Sequence, residues 1–151
     1  MWEHEESIDL AAPPGEVYRY LADFARHAEW SMSVAVLEQV TPGPVGVGTE
    51  FKASETLPQE LVSFARITAL EEPTLICWES TDYQVFRTRW SIALTPRNGG
   101  AHLVQRAHFE AISPLGEQVL LMRKEQVPAE NQRSLQRMKN ILEGKAKPGT
   151  P

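Results

Sequence analysis

The spacing of apolar residues changes within the first 24 residues from a strand pattern to a helix pattern. The segment Ile8–Leu10 alternates apolar and polar side chains, which predicts a first strand because neighbouring strand residues point to opposite faces. Val17, Tyr20, Leu21 and Phe24 then recur every three or four residues, which is the spacing of one buried stripe on a helix. The chain is therefore predicted to begin with a strand and an amphipathic helix.

Local signals mark the start of this helix and a second, shorter helix after it. Pro13 and Pro14 suit the first turn of a helix, where proline already has the required φ and its missing N–H costs nothing. Asp23 can cap a second short helix that ends near Glu29, because its carboxylate can accept an otherwise unpaired N–H group. We interpret Trp30 as a structural plug at the closed end of a sheet, since the helix before it is apolar.

Four further segments carry strand patterns, and loops with glycine or proline separate them. Thr41–Gly48 contains three glycines, but it lacks the Lys-Ser/Thr pair of a phosphate-binding loop and no helix follows it. The polar stretch Glu55–Glu60 is interpreted as an ordinary hairpin connection, with a gate over a cavity as the alternative. The strand-like segments are Val34–Val40, Phe51–Ala53, Val62–Arg66 and Thr74–Ser80.

The stretch Arg97–Gly100, with the sequence Arg-Asn-Gly-Gly, is a strong signal for a tight hairpin. Asn98 and Gly99 tolerate the positive φ angles that a two-residue turn requires. A turn centred between them pairs Leu94 with Leu103, Ile92 with Gln105, Trp90 with Ala107, and Thr88 with Phe109 on a largely apolar face. The other face then carries the pairs Arg87–Glu110 and Arg89–His108. A shift by one residue would bury the arginines, which favours this register.

A long C-terminal helical region is predicted from Pro114 onward. Proline inside a helix removes a hydrogen bond and costs about 3 kcal/mol unless the helix bends or restarts, so we expect a kink or a restart at Val127–Pro128. Gly144 can end the helix, and residues 145–151 are expected to form a flexible tail. The apolar positions with helical spacing are Leu115, Val119, Met122, Leu135, Met138 and Leu142.

This order of elements resembles the polyketide cyclase, dehydrase and lipid-transfer group of the START-like (SRPBCC) superfamily. The motifs that carry the resemblance are Ala12–Tyr18 (Ala-Pro-Pro-Gly-Glu-Val-Tyr), Tyr20–Phe24, Glu29-Trp30, Gly48–Phe51 and the helix Leu135–Leu142. The similarity extends over about residues 4–143. It implies an α+β helix-grip fold, in which a curved antiparallel sheet of six or seven strands surrounds a long C-terminal helix. The resemblance also implies two short helices after strand 1 and an apolar cavity between sheet and helix.

Size, composition and charge narrow the class of protein. With 151 residues, of which 42% are hydrophobic, the chain suits one domain, which we assign to residues 1–144. Residues 1–114 carry 8 lysines and arginines against 16 acidic residues, and this negative charge argues against a nucleic-acid partner. No apolar run approaches the roughly 20 residues of a membrane span, and the acidic start lacks the basic region of a signal peptide. We therefore expect a cytoplasmic protein.

Few residues are candidates for chemistry. His102 and His108 share a strand face, but six residues separate them by about 20 Å, so they cannot share a metal ion. The single Cys77 cannot form an internal disulfide or a thiolate cluster, and we expect no metal and no cofactor. Glu125 is the catalytic candidate, because a carboxyl enclosed by apolar side chains near the kink could transfer a proton to a carbonyl substrate. The alternative is that Glu125 points to water beside Lys124.

A binding function needs only an apolar pocket with a few polar groups that orient the ligand. Thr88 and Gln105 are the candidate polar groups on the inner face. The candidate lining residues are Phe51, Phe64, Trp78, Phe86, Trp90, Phe109, Leu121 and Met122, and each could equally be ordinary core. The resemblance implies lipids, polyketides or similar molecules as ligands.

We therefore expect this protein to bind a small hydrophobic or amphipathic molecule in a cavity between sheet and helix. One alternative is an aromatic polyketide cyclase or dehydratase that uses acid–base residues in the cavity. Another is a protein-interaction or stress-response domain without a ligand. A homodimer is left open.

Overall fold

The computed structural model describes residues 1–55 and 61–144. Seven strands and three α-helices form one sheet-and-helix unit, and none of the helices within these residues is long and apolar enough to cross a membrane. The elements are β1 (Trp2–Leu10), α1 (Pro14–Ala22), a 3₁₀ turn (Phe24–Arg26), α2 (His27–Trp30), β2 (Val34–Gln39), β3 (Glu50–Glu55), β4 (Leu61–Glu71), β5 (Leu75–Thr81), β6 (Phe86–Arg97), β7 (Gly100–Ala111) and α3 (Pro114–Leu142). Residues 56–60 of the predicted hairpin connection and the predicted tail at 145–151 lie outside the described residues.

The sheet is antiparallel throughout, with strand order β1-β7-β6-β5-β4-β3-β2. The predicted register of the β6–β7 hairpin is confirmed for every pair. Asn98 and Gly99 have φ angles of 50° and 79°, as a tight two-residue turn requires. On the outer face, Arg87 lies 3.6 Å from Glu110. The α+β helix-grip fold expected from the resemblance is confirmed.

The first strand is longer than its apolar pattern predicted. It begins at Trp2 rather than Ile8, and its inward positions near the start carry the polar residues His4 and Glu6. These two side chains face Ala107 and Gln105 of β7. Because polar residues occupy inward positions here, the alternation between apolar and polar side chains is lost from the sequence although the strand continues.

The helices after β1 begin and end close to the predicted residues. Pro14 occupies the first turn of α1, and all four residues of the predicted apolar stripe are buried. Asp23 does precede the next helical turn, but its side chain makes no capping hydrogen bond, so that part of the prediction is wrong. Trp30 is only 3% exposed and packs in the core, as expected of a plug.

The last helix runs without a break across Pro128, so the predicted restart is wrong, while the kink given as the other possibility stays a prediction. Ser113 caps its first turn, accepting a hydrogen bond from the Gly116 N–H group at 3.0 Å. Gly144, with φ of 73°, follows the end of the helix and confirms the predicted stop. The buried positions of the helix include Leu120, Arg123, Val127, Asn131, Ser134, Leu135 and Met138. The inward stripe is therefore apolar at its C-terminal end and partly polar in its middle.

The apolar core fills the end of the molecule where α1 and α2 cover the sheet. Side chains from β5, β6, β7 and α3 meet those of α1 there, and the most deeply buried are Val17, Ile76, Ile92, Leu103 and Met138. A second cluster, formed by Ala107, Phe109, Leu120 and Val127, lies nearer the N-terminal end of α3.

Candidate functional site

A pocket of about 430 Å³ lies between the inner face of the sheet and α3. It lies where inner-face positions carry small side chains. Cross-strand pairing places Ala53 beside Ser63, Ala65 beside Ser80, and Ser80 beside Thr88. These five residues all line the pocket. These small side chains do not reach from the curved sheet to α3, so a space remains between them. In the core, larger side chains fill the corresponding space.

Aromatic rings form one wall of this pocket. Trp78 and Trp90 stack with ring centres 6.0 Å apart and planes within 10°, and Phe109 meets Trp90 edge-on at 5.8 Å. Phe86 meets Phe109 edge-on at 6.0 Å. All four alternate inward along β5, β6 and β7, and all four line the pocket. The wall thus offers the face and edge contacts that flat, apolar molecules prefer.

Two polar side chains lie among the aromatic residues of this wall. Thr88 is 6% exposed and Gln105 is 4% exposed, and both line the pocket. The side-chain oxygen Oε1 of Gln105 is buried and has no hydrogen-bond partner among the described residues. A buried acceptor without a partner costs about 1–3 kcal/mol.

The middle of α3 contributes a buried ion pair. The Arg123 guanidinium donates to both carboxylate oxygens of Glu130, at 2.8 and 2.7 Å, and to Gln126 Oε1 at 2.8 Å. Arg123 and Glu130 lie seven residues apart, two helical turns, so they share one face of the helix. All three residues line the pocket. This arrangement pairs the charge of the buried guanidinium within the helix itself.

Two further carboxylates line the pocket on the sheet side. Glu55 accepts a hydrogen bond from Ser63 Oγ at 3.0 Å, and burial, with a smaller contribution from the nearby charge of Asp82, raises the pKa of Glu55. Asp82 Oδ1 accepts three backbone N–H groups, those of Gln84, Val85 and Phe86. Asp82 thereby orders the β5–β6 turn, while burial favours the protonated form of Glu55.

The imidazole of His27 joins the aromatic cluster at the inner end of the pocket. The rings of Trp30, Trp78 and Phe24 lie 4.4, 5.4 and 6.0 Å from it, centre to centre. Burial lowers the pKa of His27 from 6.5 to about 4. The neutral form is therefore favoured at pH 7, and His27 adds an apolar surface to the pocket rather than a positive charge.

We expect His27 to make the protein less stable in mild acid. Because its pKa is lower in the folded state, the unfolded chain binds the extra proton first, so stability is retained above pH 6.5 and lost as the pH falls towards 4. His27 as a whole residue is half-buried, so we expect a loss of about 2 kcal/mol rather than the full energy that corresponds to the pKa shift. Urea unfolding at pH 7 and pH 4.5 measures it. The variant His27→Phe should lose less stability between these pH values, and an equal loss would contradict the assignment.

The structure places the predicted lining residues in three groups. Trp78, Phe86, Thr88, Trp90, Gln105, Phe109 and Met122 line the pocket. Phe51 does not, because it is fully buried in the core against Phe24, with ring centres 5.4 Å apart. Phe64 and Leu121 are 38% and 67% exposed and do not line the pocket either. Whether the lining residues bind a ligand stays a prediction.

Glu125 does not face the pocket. Glu125 is exposed on the outer side of α3, as in the alternative interpretation. The predicted position, enclosed by apolar side chains, is therefore wrong, and Glu125 is not placed to act as an acid or base in the pocket. The inward stripe of the helix passes through Arg123, Val127 and Glu130. Phe64 was misplaced for a similar reason: Ser63, Ala65 and Ile67 are the inward residues of β4, so the more hydrophobic Phe64 lies outside.

Sequence reasoning missed the charged and small residues of the pocket. Glu55, Asp82, Arg123 and Glu130 were not proposed, and of the row of small inner-face residues only Thr88 was. A signal for the ion pair exists, since Gln126 and Glu130 follow Arg123 at three and seven residues in phase with Leu120 and Val127. No comparable local pattern marks Glu55, which joins the site only through strand pairing.

Comparison with known proteins agrees with the fold and defines the family. The chain belongs to the polyketide cyclase/dehydrase and lipid transport family, whose model matches residues 1–143. This confirms the resemblance to the START-like (SRPBCC) superfamily. Among curated protein sequences, none matches this chain significantly.

Several solved structures share the fold at low sequence identity. The ZhuI aromatase/cyclase from Streptomyces sp. R1128 has a TM-score of 0.79 at 14% identity, with 94% of this chain and 93% of that chain covered. TTHA0849 from Thermus thermophilus has a TM-score of 0.76 at 19% identity, covering 97% and 100%. Ara h 8.0201 has a TM-score of 0.72 at 16% identity, covering 95% and 98%. At these identities the likeness extends to the fold alone.

Proposed function

We propose that this protein binds a small hydrophobic or amphipathic molecule in the pocket between the sheet and α3. One observation carries the proposal: the pocket of about 430 Å³ has an aromatic wall on the sheet and polar groups facing it from α3. That volume and this mixture are typical of sites for small molecules. The family description, which includes lipid transport, supports the same class of ligand.

A second candidate function is the catalysis of a polyketide cyclisation or dehydration. The observation that favours it is Glu55, a pocket carboxyl whose pKa is raised by burial. A carboxyl that is readily protonated can act as a general acid towards a carbonyl group. The structural similarity to an aromatase/cyclase is compatible with this chemistry. Glu55 thus replaces Glu125 as the candidate acid.

Binding of the neutral fluorescent probe N-phenyl-1-naphthylamine tests the proposal. Trp90→Ala and Phe109→Ala should each weaken binding about tenfold, because each removes a ring of the pocket wall. Phe64→Ala is the matched control, since this aromatic residue does not line the pocket. Circular dichroism verifies that the variants are folded. Wild-type affinity in both wall variants, or an equal loss in Phe64→Ala, would refute binding at this pocket.

A further inference from the structure

The second half of α3 is firmly attached to the rest of the fold. Leu135 and Met138 are 2% and 0% exposed and belong to the main apolar core. Lys139 Nζ donates a hydrogen bond to the backbone carbonyl oxygen of Asp9 on β1 at 2.8 Å. Both apolar packing and a hydrogen bond to the sheet therefore hold this half of the helix in place.

The first half of α3, residues 114–127, spans the pocket and has fewer such contacts. Leu115 and Met122 line the pocket, yet they are 56% and 48% exposed. Leu120 and Val127 are buried, but in the smaller of the two apolar clusters. Among the described residues, no hydrogen bond joins this half of the helix to the sheet. We call residues 114–127 the lid.

The residues just before the lid are tied to the turn between β5 and β6. Ser113 Oγ donates a hydrogen bond to the carbonyl oxygen of Gln84. The Ile112 N–H donates to the carbonyl oxygen of Val85 at 2.9 Å. Asp82 organises this turn, since its Oδ1 accepts three backbone N–H groups, among them those of Gln84 and Val85 at 2.9 and 2.6 Å. We call this set of hydrogen bonds the latch.

The latch depends on Asp82 because the backbone of the turn is strained. Tyr83 has a φ angle of 63°, a left-handed conformation that costs a residue with a side chain about 1–2 kcal/mol. A hydrogen bond to a charged acceptor contributes about 1.5–3 kcal/mol, so the three bonds to Asp82 outweigh this cost. Without them the turn would relax, and the carbonyl oxygens that accept from Ser113 and Ile112 would move.

Pro128 lies at the boundary between the two halves of α3. It has no N–H group, so the carbonyl oxygen of Lys124 lacks the partner that it would have in a regular helix. Proline is also the commonest cause of bends in helices. The Arg123–Glu130 ion pair bridges Pro128 on the pocket side, so an outward bend would stretch this pair. The helix therefore has a weak point at Pro128, which the ion pair reinforces while the lid is closed.

We propose that the lid swings about Pro128 to admit and release the ligand, and that the latch at Asp82 holds it closed. This inference rests on the proposed binding function and adds the route of ligand exchange. Opening breaks the hydrogen bonds of the latch, while the second half of α3 stays in the core. A detached helix as short as the lid is only marginally stable in water, so opening exposes its backbone amides to solvent.

Amide hydrogen exchange of the ligand-free protein tests the motion of the lid without any ligand. We expect the lid amides to exchange at least about tenfold faster than those of residues 129–142. Asp82→Ala should accelerate exchange in the lid about tenfold further and change that of residues 129–142 by less than about twofold. Asp23→Ala is the matched control, because Asp23 also precedes a helical turn but makes no capping hydrogen bond.

Pro128→Ala tests the hinge. Pro128 does not line the pocket, and alanine restores the N–H group that the carbonyl oxygen of Lys124 lacks. Exchange in the lid should slow about threefold or more. In stopped-flow experiments, association and dissociation of N-phenyl-1-naphthylamine should slow by a similar factor, with a Kd within about twofold of the wild type. Gln132→Ala, at an exposed position outside the pocket, controls for general stabilisation of the helix and should change neither rate.

Thermal unfolding verifies that the variants are folded, and the outcomes separate this inference from the proposed function. Equal exchange in both halves of α3, or an Asp82→Ala effect spread evenly over both, would overturn the lid. Unchanged probe kinetics in Pro128→Ala would overturn its role in ligand exchange. In each of these cases saturable binding of the probe would still support the pocket. Failure of the probe to bind the wild type would overturn the proposed function, and the role of the lid in exchange with it.

Discussion

Replacing Gly116 with alanine is expected to lower the free energy of unfolding by about 3 kcal/mol. Gly116 lies in the first turn of α3, where an added Cβ would overlap the carbonyl oxygen of Val85. That oxygen also accepts the Ile112 N–H at 2.9 Å, so it cannot move aside without losing a backbone hydrogen bond. Alanine favours helix formation by about 1 kcal/mol over glycine, so only the overlap can give a net loss. Gly116 thus lets α3 approach the β5–β6 turn at Val85, which lines the pocket.

Gly15→Ala is the matched control for this prediction. Gly15 also lies in the first turn of a helix, α1, but its nearest neighbour would be the Arg19 guanidinium at 3.4 Å, which is flexible and can move. We expect this variant to be as stable as the wild type or more stable by up to about 1 kcal/mol. Urea unfolding of the two variants measures the difference. Equal stability of the two would contradict the proposed close contact between α3 and Val85.

Much of the fold was predictable because local chemistry determined it. Asn98 and Gly99 specified a tight turn, the turn specified the β6–β7 register, and the register specified which side chains face inward. Pro13 and Pro14 at the start of α1, and Gly144 after α3, similarly marked the helix limits. Pro128 is the exception, because α3 continues through it. There the packing of α3 along the sheet outweighs the preference of a single residue.

The pocket was only partly predictable because its space depends on small residues from different strands. Most of the predicted lining residues were large aromatic residues, and those of β5, β6 and β7 do line the pocket. The space itself comes from Ala65, Ser80 and Thr88, which become neighbours only through pairing of three strands. No local pattern contains that information. Glu55 and Arg123 were missed for the same reason, since they approach one another only after folding.

The second large effect that we expect is a loss of ligand affinity when a larger side chain fills the pocket. Ser80 lies on β5 between Ala65 and Thr88, so a tryptophan at this position has small neighbours on both sides and extends into the pocket. Ser80→Trp should keep the fold, because it occupies existing space instead of displacing packed atoms. It should weaken ligand binding more than about tenfold, because it takes up volume that the ligand needs.

Ser54→Trp is the control for added indole. Ser54 is exposed on β3 and does not line the pocket. A tryptophan there adds the same ring to the sheet without changing the space beside α3. Circular dichroism and thermal unfolding verify that both variants are folded.

Titration of N-phenyl-1-naphthylamine into the wild type and these two variants tests most directly whether the space beside α3 is a ligand site. The account predicts saturable binding to the wild type and to Ser54→Trp, and a loss of more than about tenfold in affinity for Ser80→Trp. Wild-type affinity in Ser80→Trp would contradict the account, because the probe would then bind somewhere other than the pocket between the sheet and the last helix.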